Sequence, residues 1–343
     1  MAFRTFGSML AGLGLAAGVA LSAFGADAKT PIKFTLDWKF EGPAAPFLIA
    51  QDKGYFAAEG LDVTVDSGNG SAGAVTRVAS GAYDLALADI NSMMEFNEKN
   101  PDKAMKAVFM VYNTPPFSIF TLKKNGIDKP AALAGKTLGA PVFDAPRKLF
   151  PAYAKAVGIA PDAVTWKTMD PPLREPMLVR GDVDGISGFY YTSLLNLRAL
   201  GVAEKDLNIF SYADSGLDLY SNALIPSPKL LSENPEALKG FMRAVVKGWR
   251  DVIADPEAGI AAVKKRDPLI DPALELERLK MVISRNVLTP EVKADGMGGV
   301  RPERLASAID QVALAFGFAS KPAPAAVFDA SLLPAEADRK LAP

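Results

Sequence analysis

The sequence predicts an α/β protein built from two domains with mainly parallel sheets flanked by helices. Short runs of β-branched residues alternate with helical patterns along the chain, which is typical of parallel sheets covered by helices. The chain has 343 residues, more than a single hydrophobic core usually serves. Its 49% hydrophobic and 22% charged residues indicate a folded globular protein.

Predicted strands and helices alternate as far as residue 191. Each predicted strand is a short run bounded by turn residues, and most predicted helices lie between two such runs. Strands are predicted over 32–38, 61–66, 84–90, 107–112, 118–122, 136–141, 163–169 and 185–191. Helices are predicted over 44–53, 71–80, 146–157 and 173–180.

The C-terminal third predicts three successive helices. Asn234, Asp255 and Asp271 each precede a proline, so each offers a capping side chain followed by a proline in the first helical turn. In the first of these helices Trp249 follows the apolar spacing of the helix, which predicts a core position. The segment 322–328 is too rich in proline for a helix, and we expect it to lie along the surface of a lobe.

Residues 1–28 predict a removable export signal. Arg4 gives a basic start, an apolar run covers 9–24, and 26–28 offer the small-x-small pattern that a signal peptidase needs. A buried N-terminal helix is the alternative, although the run lacks polar residues for an amphipathic face. We therefore expect a soluble periplasmic chain that begins after residue 28 and has no lipid anchor.

The composition excludes several kinds of chemistry. The chain has no histidine and no cysteine, which excludes Ser-His-Asp and Cys-His nucleophiles, histidine-ligated zinc, iron–sulfur clusters and disulfides. With 38 basic and 39 acidic residues the net charge is −1, so nothing attracts nucleic acid. We expect no metal and no resident cofactor, and any catalysis would depend on carboxylates, tyrosine, lysine or a borrowed cofactor.

A glycine-rich turn at 68–73 follows the second predicted strand and precedes a helix. Its sequence Gly-Asn-Gly-Ser-Ala-Gly matches the dinucleotide-binding pattern, with Asp89 at the end of the next strand. The motif does not open the fold, however, and an exported protein meets little nicotinamide cofactor. The favoured interpretation is a turn whose backbone N–H groups, with Asn69 and Ser71, bind a small polar ligand. A tight turn capped by Ser71 is the structural alternative.

Asp37 and Trp38 stand at the predicted end of the first strand, the edge at which open α/β sheets bind ligands. An exposed indole offers a stacking face for a planar or cationic ligand, and a carboxylate accepts hydrogen bonds from an amino group. The alternative for Trp38 is ordinary core packing.

Two later segments carry further candidate residues. Asp144 can cap a helix that follows a strand, and Arg147 can bind a carboxylate, sulfonate or phosphate. Alternatively Asp144 is only a cap and Arg147 only a solvated side chain. Tyr190 and Tyr191 are predicted at the end of a strand, with their hydroxyl groups pointing outward.

Six segments carry a resemblance that spans nearly the whole mature chain: 36–38 (Leu-Asp-Trp), 49–63, 80–89, 133–141, 178–186 and 327–334. In this order they resemble the type II periplasmic substrate-binding proteins of ABC transporters. The similar group serves thiamine-precursor pyrimidines, alkanesulfonates, taurine and nitrate. The run at 49–63 is fairly specific to that group, whereas 133–141 resembles type II binding proteins in general.

The resemblance implies two α/β lobes that are joined by two crossing strands and close over one small molecule. Lobe one would comprise 29–115 and 219–343, and lobe two 116–218. It also implies a monomer that delivers its ligand to an ABC transporter permease in the inner membrane. The ligand-binding residues it implies are Asp37, Trp38, Asn69, Ser71 and Asp89 on lobe one, with Asp144, Arg147, Tyr190 and Tyr191 on lobe two.

The candidate residues favour one class of ligand. Three carboxylates face one arginine, which favours an amino-substituted, pyrimidine-like nitrogen heterocycle over a naked anion. If Asp37 or Asp144 only stabilises the structure, an aromatic or aliphatic sulfonate or carboxylate held by Arg147 becomes the alternative. Pyrimidine-binding members often follow Asp-Trp with Pro-Asn and a histidine, whereas this chain has Lys-Phe-Glu-Gly at 39–42.

Other classes of function stay open. The family's pyrimidine-synthesising branch uses its own histidine as substrate and carries a cysteine-rich motif, and this chain has neither residue. A different periplasmic enzyme could use a carboxylate pair, such as Asp37 with Glu41 or with Asp89. The chain could also be a sensor that presents its closed form to a receptor kinase, or the solute-capture subunit of another transporter class.

Overall fold

Ten strands and fifteen α-helices occur in residues 29–341, the part of the chain that the computed structural model describes; the predicted export signal at 1–28 lies outside it. The strands are β1 (Thr30–Thr35), β2 (Leu61–Asp66), β3 (Leu85–Asp89), β4 (Phe109–Met110), β5 (Phe117–Leu122), β6 (Thr137–Ala140), β7 (Thr165–Thr168), β8 (Gly185–Phe189), β9 (Leu207–Ser211) and β10 (Asn222–Pro226).

Most of the helices lie between strands in the first part of the chain and follow one another after β10. They are α1 (Ala45–Asp52), α2 (Tyr55–Ala58), α3 (Ser71–Ala79), α4 (Ile90–Lys99), α5 (Ala145–Lys148), α6 (Phe150–Ala156), α7 (Arg174–Arg180), α8 (Tyr190–Ala199), α9 (Pro228–Glu233), α10 (Pro235–Ala254), α11 (Pro256–Arg266), α12 (Pro272–Val282), α13 (Pro290–Asp295), α14 (Pro302–Phe316) and α15 (Pro324–Val327). A π-helical turn, Ile283–Val287, extends α12. Across residues 29–341 no helix combines the length and the apolar character needed to span a bilayer.

The strands form two five-stranded sheets. Sheet one has the order β2-β1-β3-β10-β4, and sheet two has the order β7-β6-β8-β5-β9. The α/β class is confirmed, but the sheets are mixed, because β10 and β5 each pair antiparallel with both neighbours. Each is the first strand after the chain passes from one sheet to the other, so it enters its new sheet in the opposite direction. The prediction of mainly parallel sheets was incomplete for this reason.

Burial along the strands follows their position in the sheet. In the edge strand β2, Leu61, Val63 and Val65 are buried while Asp62 and Thr64 are exposed, as expected for a strand with one covered face. The interior strand β3 is buried at every residue, because helices cover both of its faces. The position of β3 inside the sheet therefore brings its C-terminal end to the interior of the molecule.

Helix α10 is the main support of sheet one. Its apolar face places Phe241 and Trp249 at 0% exposure, which confirms the predicted core position of Trp249. The phenyl ring of Phe241 packs against those of Phe34 on β1 and Phe56 on α2, with centroids 5.1 and 4.8 Å apart. Helix α1 packs on the same helix, so β1 and the residues that follow it are held in place from behind.

We expect Gly248→Ala to destabilise the protein, because α1 and α10 approach each other at this glycine. A Cβ atom on Gly248 would lie 2.1 Å from the backbone oxygen of Pro46, so one helix must shift. Overpacking of this kind typically costs about 1–3 kcal/mol, which thermal denaturation would measure. Gly240→Ala on the same helix is the matched control, since its Cβ would first meet the flexible Glu59 side chain at 3.1 Å. Equal stability of the two variants would contradict this packing.

Several predicted elements differ from those observed. The predicted helix 146–157 is two helices, α5 and α6, because Pro151 cannot donate a hydrogen bond back into α5 and instead lies in the first turn of α6. Asp255 and Asp271 cap α11 and α12 as predicted, whereas the Asn234 side chain makes no capping hydrogen bond to α10. The segment 322–328 contains the single turn α15, in which Pro324 takes the tolerated first position.

Candidate functional site

A small cleft with a cavity volume of about 30 Å³ lies between the two sheets. Both sheets supply its walls, and we call its lining residues the cleft residues. On the side of sheet one they include Asp37, Trp38, Glu41, Ser71, Leu87 and Tyr112. On the side of sheet two they include Asp144, Arg174, Phe189, Tyr191 and Thr192.

The cleft lies at strand ends because of the strand–turn–helix units that form the fold. Asp37 and Trp38 follow β1, and Ser71 is the first residue of α3 after β2. On the other wall, Asp144 precedes α5 after β6, and Tyr191 lies in the first turn of α8 after β8. The carboxyl ends of parallel strands meet at one edge of a sheet, where α/β proteins bind their ligands.

Asp37 is a buried carboxylate without a cationic partner. Asn222 on β10 donates a hydrogen bond of 2.7 Å from its side-chain nitrogen to Asp37 Oδ2. Within residues 29–341, no lysine or arginine nitrogen lies within 4.0 Å of its carboxylate oxygens. Burial raises the pKa of Asp37 to about 7, and the nearby Asp89 and Glu41 add to the rise while Asn222 opposes it. The carboxylate therefore keeps free capacity to accept hydrogen bonds in the cleft.

Asp89 lies behind Asp37 and serves the fold. It caps α4 by accepting hydrogen bonds from the Ser92 backbone N–H at 2.8 Å and the Ser92 hydroxyl at 3.1 Å. The Asn91 amide donates a third hydrogen bond of 2.9 Å. Burial nevertheless raises the pKa of Asp89 to about 6. It is not a cleft residue, but its charge acts on Asp37.

Arg174 is a buried cation shared by two carboxylates. Its Nε donates to Glu175 at 2.8 Å, and its Nη1 lies 3.4 Å from Asp144 Oδ1. Asp144 also accepts a hydrogen bond of 3.0 Å from the Ser187 hydroxyl. Burial raises the pKa of Asp144 to about 6, although Arg174 and Ser187 favour its charged form. The guanidinium carbon lies 5.1 Å from the centroid of the Trp38 ring, so a cation–π contact joins the two walls.

A second group of polar contacts joins the walls at Glu41. The Thr192 hydroxyl donates to Glu41 Oε2 at 3.1 Å, and Arg278 Nε lies 3.5 Å from the same oxygen. Arg278 on α12 also donates to the backbone oxygen of Tyr191 at 3.2 Å and to Glu275 at 2.9 Å. The two sheets are thus held together around the cleft by charged hydrogen bonds.

Two polar atoms in the cleft have no hydrogen-bond partner in the described part of the chain. They are the indole Nε1 of Trp38 and the hydroxyl oxygen of Ser71, both buried. Buried polar atoms nearly always have a hydrogen-bond partner. Two such atoms without a partner, in the cleft that Asp37 lines, therefore indicate a ligand contact. The cleft therefore offers one N–H donor, one hydroxyl and one carboxylate acceptor.

Five of the nine sequence-predicted site residues are cleft residues: Asp37, Trp38, Ser71, Asp144 and Tyr191. Tyr190 and Tyr191 begin α8 rather than ending β8, so about 100° of helical rotation separates their side chains. Tyr191 is buried and its hydroxyl interacts with that of Tyr112, which corrects the outward orientation that the strand implied. The Tyr190 ring instead lies under Arg285, with 4.5 Å between its centroid and Cζ.

The other three predicted residues also do not line the cleft. Asp89 caps α4, and Asn69 places its side-chain oxygen against Gly73 on α3. Arg147 donates to the backbone oxygen of Ala140 at 2.9 Å and lies 5.1 Å from the Trp166 ring centroid. It therefore sits on the outer side of α5, in a separate surface depression.

Sequence reasoning missed several cleft residues. Arg174 and Glu175 look like an ordinary surface ion pair on a short helix, and nothing in the sequence shows that both are buried. Asn222 and Tyr112 reach the site only because β10 returns from sheet two to lie beside β3. Glu41 did carry a signal, because the sequence offered it as the partner of Asp37 in a carboxylate pair.

Comparison with known proteins assigns the family. The model of the NMT1/THI5 like family matches residues 43–259, which is well over half of the chain. The chain belongs to this family. The matched segment contains most strands of both sheets, while Asp37, Trp38 and Glu41 lie just before it.

Three similar proteins illustrate the range of this likeness. The formylaminopyrimidine-binding protein of Halalkalibacterium halodurans is 26% identical over 259 residues, 75% of this chain and 77% of that protein. The 4-amino-5-hydroxymethyl-2-methylpyrimidine phosphate synthase of Schizosaccharomyces pombe is 23% identical over 234 residues, 66% of each chain. The solved alkanesulfonate-binding protein SsuA of Xanthomonas axonopodis pv. citri, bound to MOPS, is 13% identical with a TM-score of 0.66, over 89% of this chain and 99% of that one. This last likeness shows the periplasmic binding protein fold.

Proposed function

We propose that the protein is the periplasmic solute-binding component of an ABC importer, and that its ligand is a small amino-substituted nitrogen heterocycle. The observation that carries the proposal is one cleft in which the unpaired Trp38 Nε1 and Ser71 Oγ lie with Asp37, a buried carboxylate that has no cationic partner in residues 29–341. An amino group donates to the carboxylate, and a ring nitrogen or carbonyl accepts from the indole and the hydroxyl. The formylaminopyrimidine-binding relative supports this ligand class.

Importer function requires that loaded and empty protein differ in shape. The proposed lobes are 29–115 with 219–343, and 116–218, each holding one sheet. The chain passes between them near Thr114 and near Asp218, and both passages are anchored to the C-terminal helices. A ligand that contacts both walls stabilises the closed arrangement, which a permease then recognises. Export to the periplasm follows from this role and from the predicted signal at 1–28.

A sulfonate or carboxylate ligand is less well supported. Arg147, the cation proposed to hold an anion, lies outside the cleft. Arg174 does line the cleft, but its guanidinium is already paired with Asp144 and Glu175. An anion would therefore approach carboxylates without a free buried cation, an arrangement that low dielectric penalises strongly.

Binding without chemistry is part of the same proposal. The synthase relatives make pyrimidines, but this chain lacks the histidine that the synthesising branch consumes. Asp37 has the near-neutral pKa of a general base, yet Glu41 is held by Thr192 and Arg278 rather than free to act as a paired acid. We expect ligand released from the denatured complex to have an unchanged mass.

A thermal-shift screen tests the ligand class. At about 100 times its dissociation constant, a bound ligand adds roughly 2.7 kcal/mol to the stability of the folded state, a rise of several degrees. We expect 4-aminopyrimidine derivatives to raise the melting temperature and taurine to leave it unchanged. Stabilisation by sulfonates alone would overturn the proposed ligand class. Trp38→Phe is the matched variant, because it keeps an aromatic ring and removes the unpaired N–H.

A further inference from the structure

Negative charge predominates around the cleft. Six buried carboxylates lie in or directly behind its walls: Asp37, Glu41, Asp89, Asp144, Glu175 and Glu275. Two buried arginines, Arg174 and Arg278, and the 40% exposed side chain of Lys39 oppose them. Even with every positive group counted, the cluster has a deficit of positive charge.

The existing cations are committed to carboxylates other than Asp37. Arg174 lies between Asp144 and Glu175. Arg278 bonds Glu275 and approaches Glu41, whose other cation is Lys39 at 3.7 Å. Three cations thus serve these four carboxylates, whereas Asp37 and the helix-capping Asp89 have no cation within 4.0 Å in residues 29–341.

In residues 29–341 no lysine or arginine nitrogen lies within 4.0 Å of the Asp37 carboxylate, although Lys39 and Arg174 line the same cleft. The titratable groups that face it are Glu41 on its own segment, Asp89 at the end of β3, Tyr112 after β4 and Tyr191 on α8. From β10 it receives only the neutral amide of Asn222. Because Asp89 is fully hydrogen-bonded and lies outside the cleft, Asp37 is the carboxylate that a ligand can reach.

A second, independent feature places a ligand beside this carboxylate. The Ser71 hydroxyl is 1% exposed, unpaired and part of the same cleft wall. An isolated acidic cluster could bind water or a simple ion, whereas the buried Ser71 hydroxyl gains its missing partner when a ligand atom lies within hydrogen-bond distance. A ligand that reaches this hydroxyl lies in the same cleft as Asp37.

We propose that the cleft binds its ligand as an organic cation, with the delocalised positive charge of a protonated amino-heterocycle lying against Asp37. This inference rests on the proposed function and adds the charge state of the ligand. The amino group of such a cation donates N–H hydrogen bonds to the carboxylate, and the positive charge that it shares with the ring strengthens them. The ligand then supplies the cationic partner that Asp37 lacks. The ease with which buried Asp37 takes up a proton in the free protein agrees with a site that needs positive charge.

A pair of probes with one shape and different charge tests the charge state. The cation 1-methyl-4-aminopyridinium and the neutral 4-methylaniline share a skeleton, and both lack a ring acceptor for Trp38, so the comparison isolates charge. By calorimetry at pH 8 we expect the cation to bind at least about 10-fold more tightly. Equal or weaker binding of the cation, or no binding of either probe, would overturn the inference.

Two variants test whether Asp37 causes the preference for the cationic probe. In Asp37→Asn the ratio of the two affinities should fall toward one, because the shape is kept and the charge is removed. Asp310→Asn removes a surface carboxylate that is paired with Lys321, so its ratio should match the native one. If the ratio of the two affinities in Asp37→Asn equals that of the native protein, the inference is contradicted. If 4-aminopyrimidines stabilise the native protein but the cationic probe binds no more tightly than the neutral one, the proposed function is supported and the inference about the charge state of the ligand is wrong.

Discussion

Asp37→Asn is expected to stabilise the ligand-free protein at pH 8 while it weakens ligand binding. Burial raises the pKa of Asp37 from 3.8 to about 7, so the folded state holds its proton more tightly than the unfolded state does. Protonated Asp37 makes a favourable contribution to the stability of the folded state. This contribution is present in full below pH 3.8 and is lost as the pH rises to about 7. At pH 8 the native protein therefore bears the full cost of a buried charge, and the neutral amide avoids it.

We expect a gain in the free energy of unfolding of about 4 kcal/mol at pH 8, shrinking to near zero at pH 4, because the native carboxyl is then protonated in the folded state. Chemical denaturation at pH 8 and at pH 4 measures the difference in the free energy of unfolding between the variant and the native protein. Loss of the charged acceptor should lower the affinity for a 4-aminopyrimidine by about 10- to 100-fold. Asp310→Asn should change neither quantity. Destabilisation by Asp37→Asn at pH 8 would show that the carboxylate supports the fold rather than the ligand.

Arg174→Ala should produce the largest loss of stability among the cleft variants. Arg174 is 1% exposed and compensates Asp144 and Glu175, so its removal leaves two buried carboxylates without a cation. Breaking a buried ion pair from one side typically costs about 3–5 kcal/mol. The variant also removes the cation that lies over the Trp38 ring, which weakens the contact between the walls.

The control for Arg174→Ala lies on the same helix. Arg180 forms an exposed ion pair with Asp182, and the two side chains are 56% and 39% exposed. Because surface ion pairs contribute little, Arg180→Ala should change the free energy of unfolding by less than about 1 kcal/mol. Urea titrations of both variants make the comparison. Similar losses in the two would contradict the assignment of Arg174 as the buried cation of the cleft.

The sequence predicted those parts of the fold that local pattern determines. Strand β2 occurs at its predicted residues 61–66, because alternating burial is visible in Leu-Asp-Val-Thr-Val-Asp. Strand β10 was not predicted, since it begins with asparagine and ends with proline, residues that are uncommon in strands. Its five residues become a buried interior strand only through pairing with β3 and β4. That pairing is long-range, so no local signal reports it.

The candidate site also contains residues that local sequence predicts and residues that only long-range contacts bring into place. Asp37, Trp38 and Ser71 were found because they lie at the ends of predictable strands or the starts of predictable helices. Arg174 and Asn222 contact these residues from elements distant in sequence, which only the folded chain brings together. Tyr190 and Tyr191 were both predicted to bind ligand, but only Tyr191 lines the cleft, because a strand end and a helix start aim neighbouring side chains differently. The boundary between two elements therefore decided which tyrosine enters the cleft.

The indole N–H resonance of Trp38 tests the central claim most directly. The chain has three tryptophans, Trp38, Trp166 and Trp249, so a ¹⁵N–¹H spectrum shows three indole signals and Trp38→Phe assigns the first. On saturation with a 4-aminopyrimidine that stabilises the protein, the Trp38 signal should shift strongly as its unpaired N–H gains an acceptor, while the signal of core-buried Trp249 stays in place. A ligand that binds and leaves the Trp38 signal unmoved would contradict a binding site in this cleft.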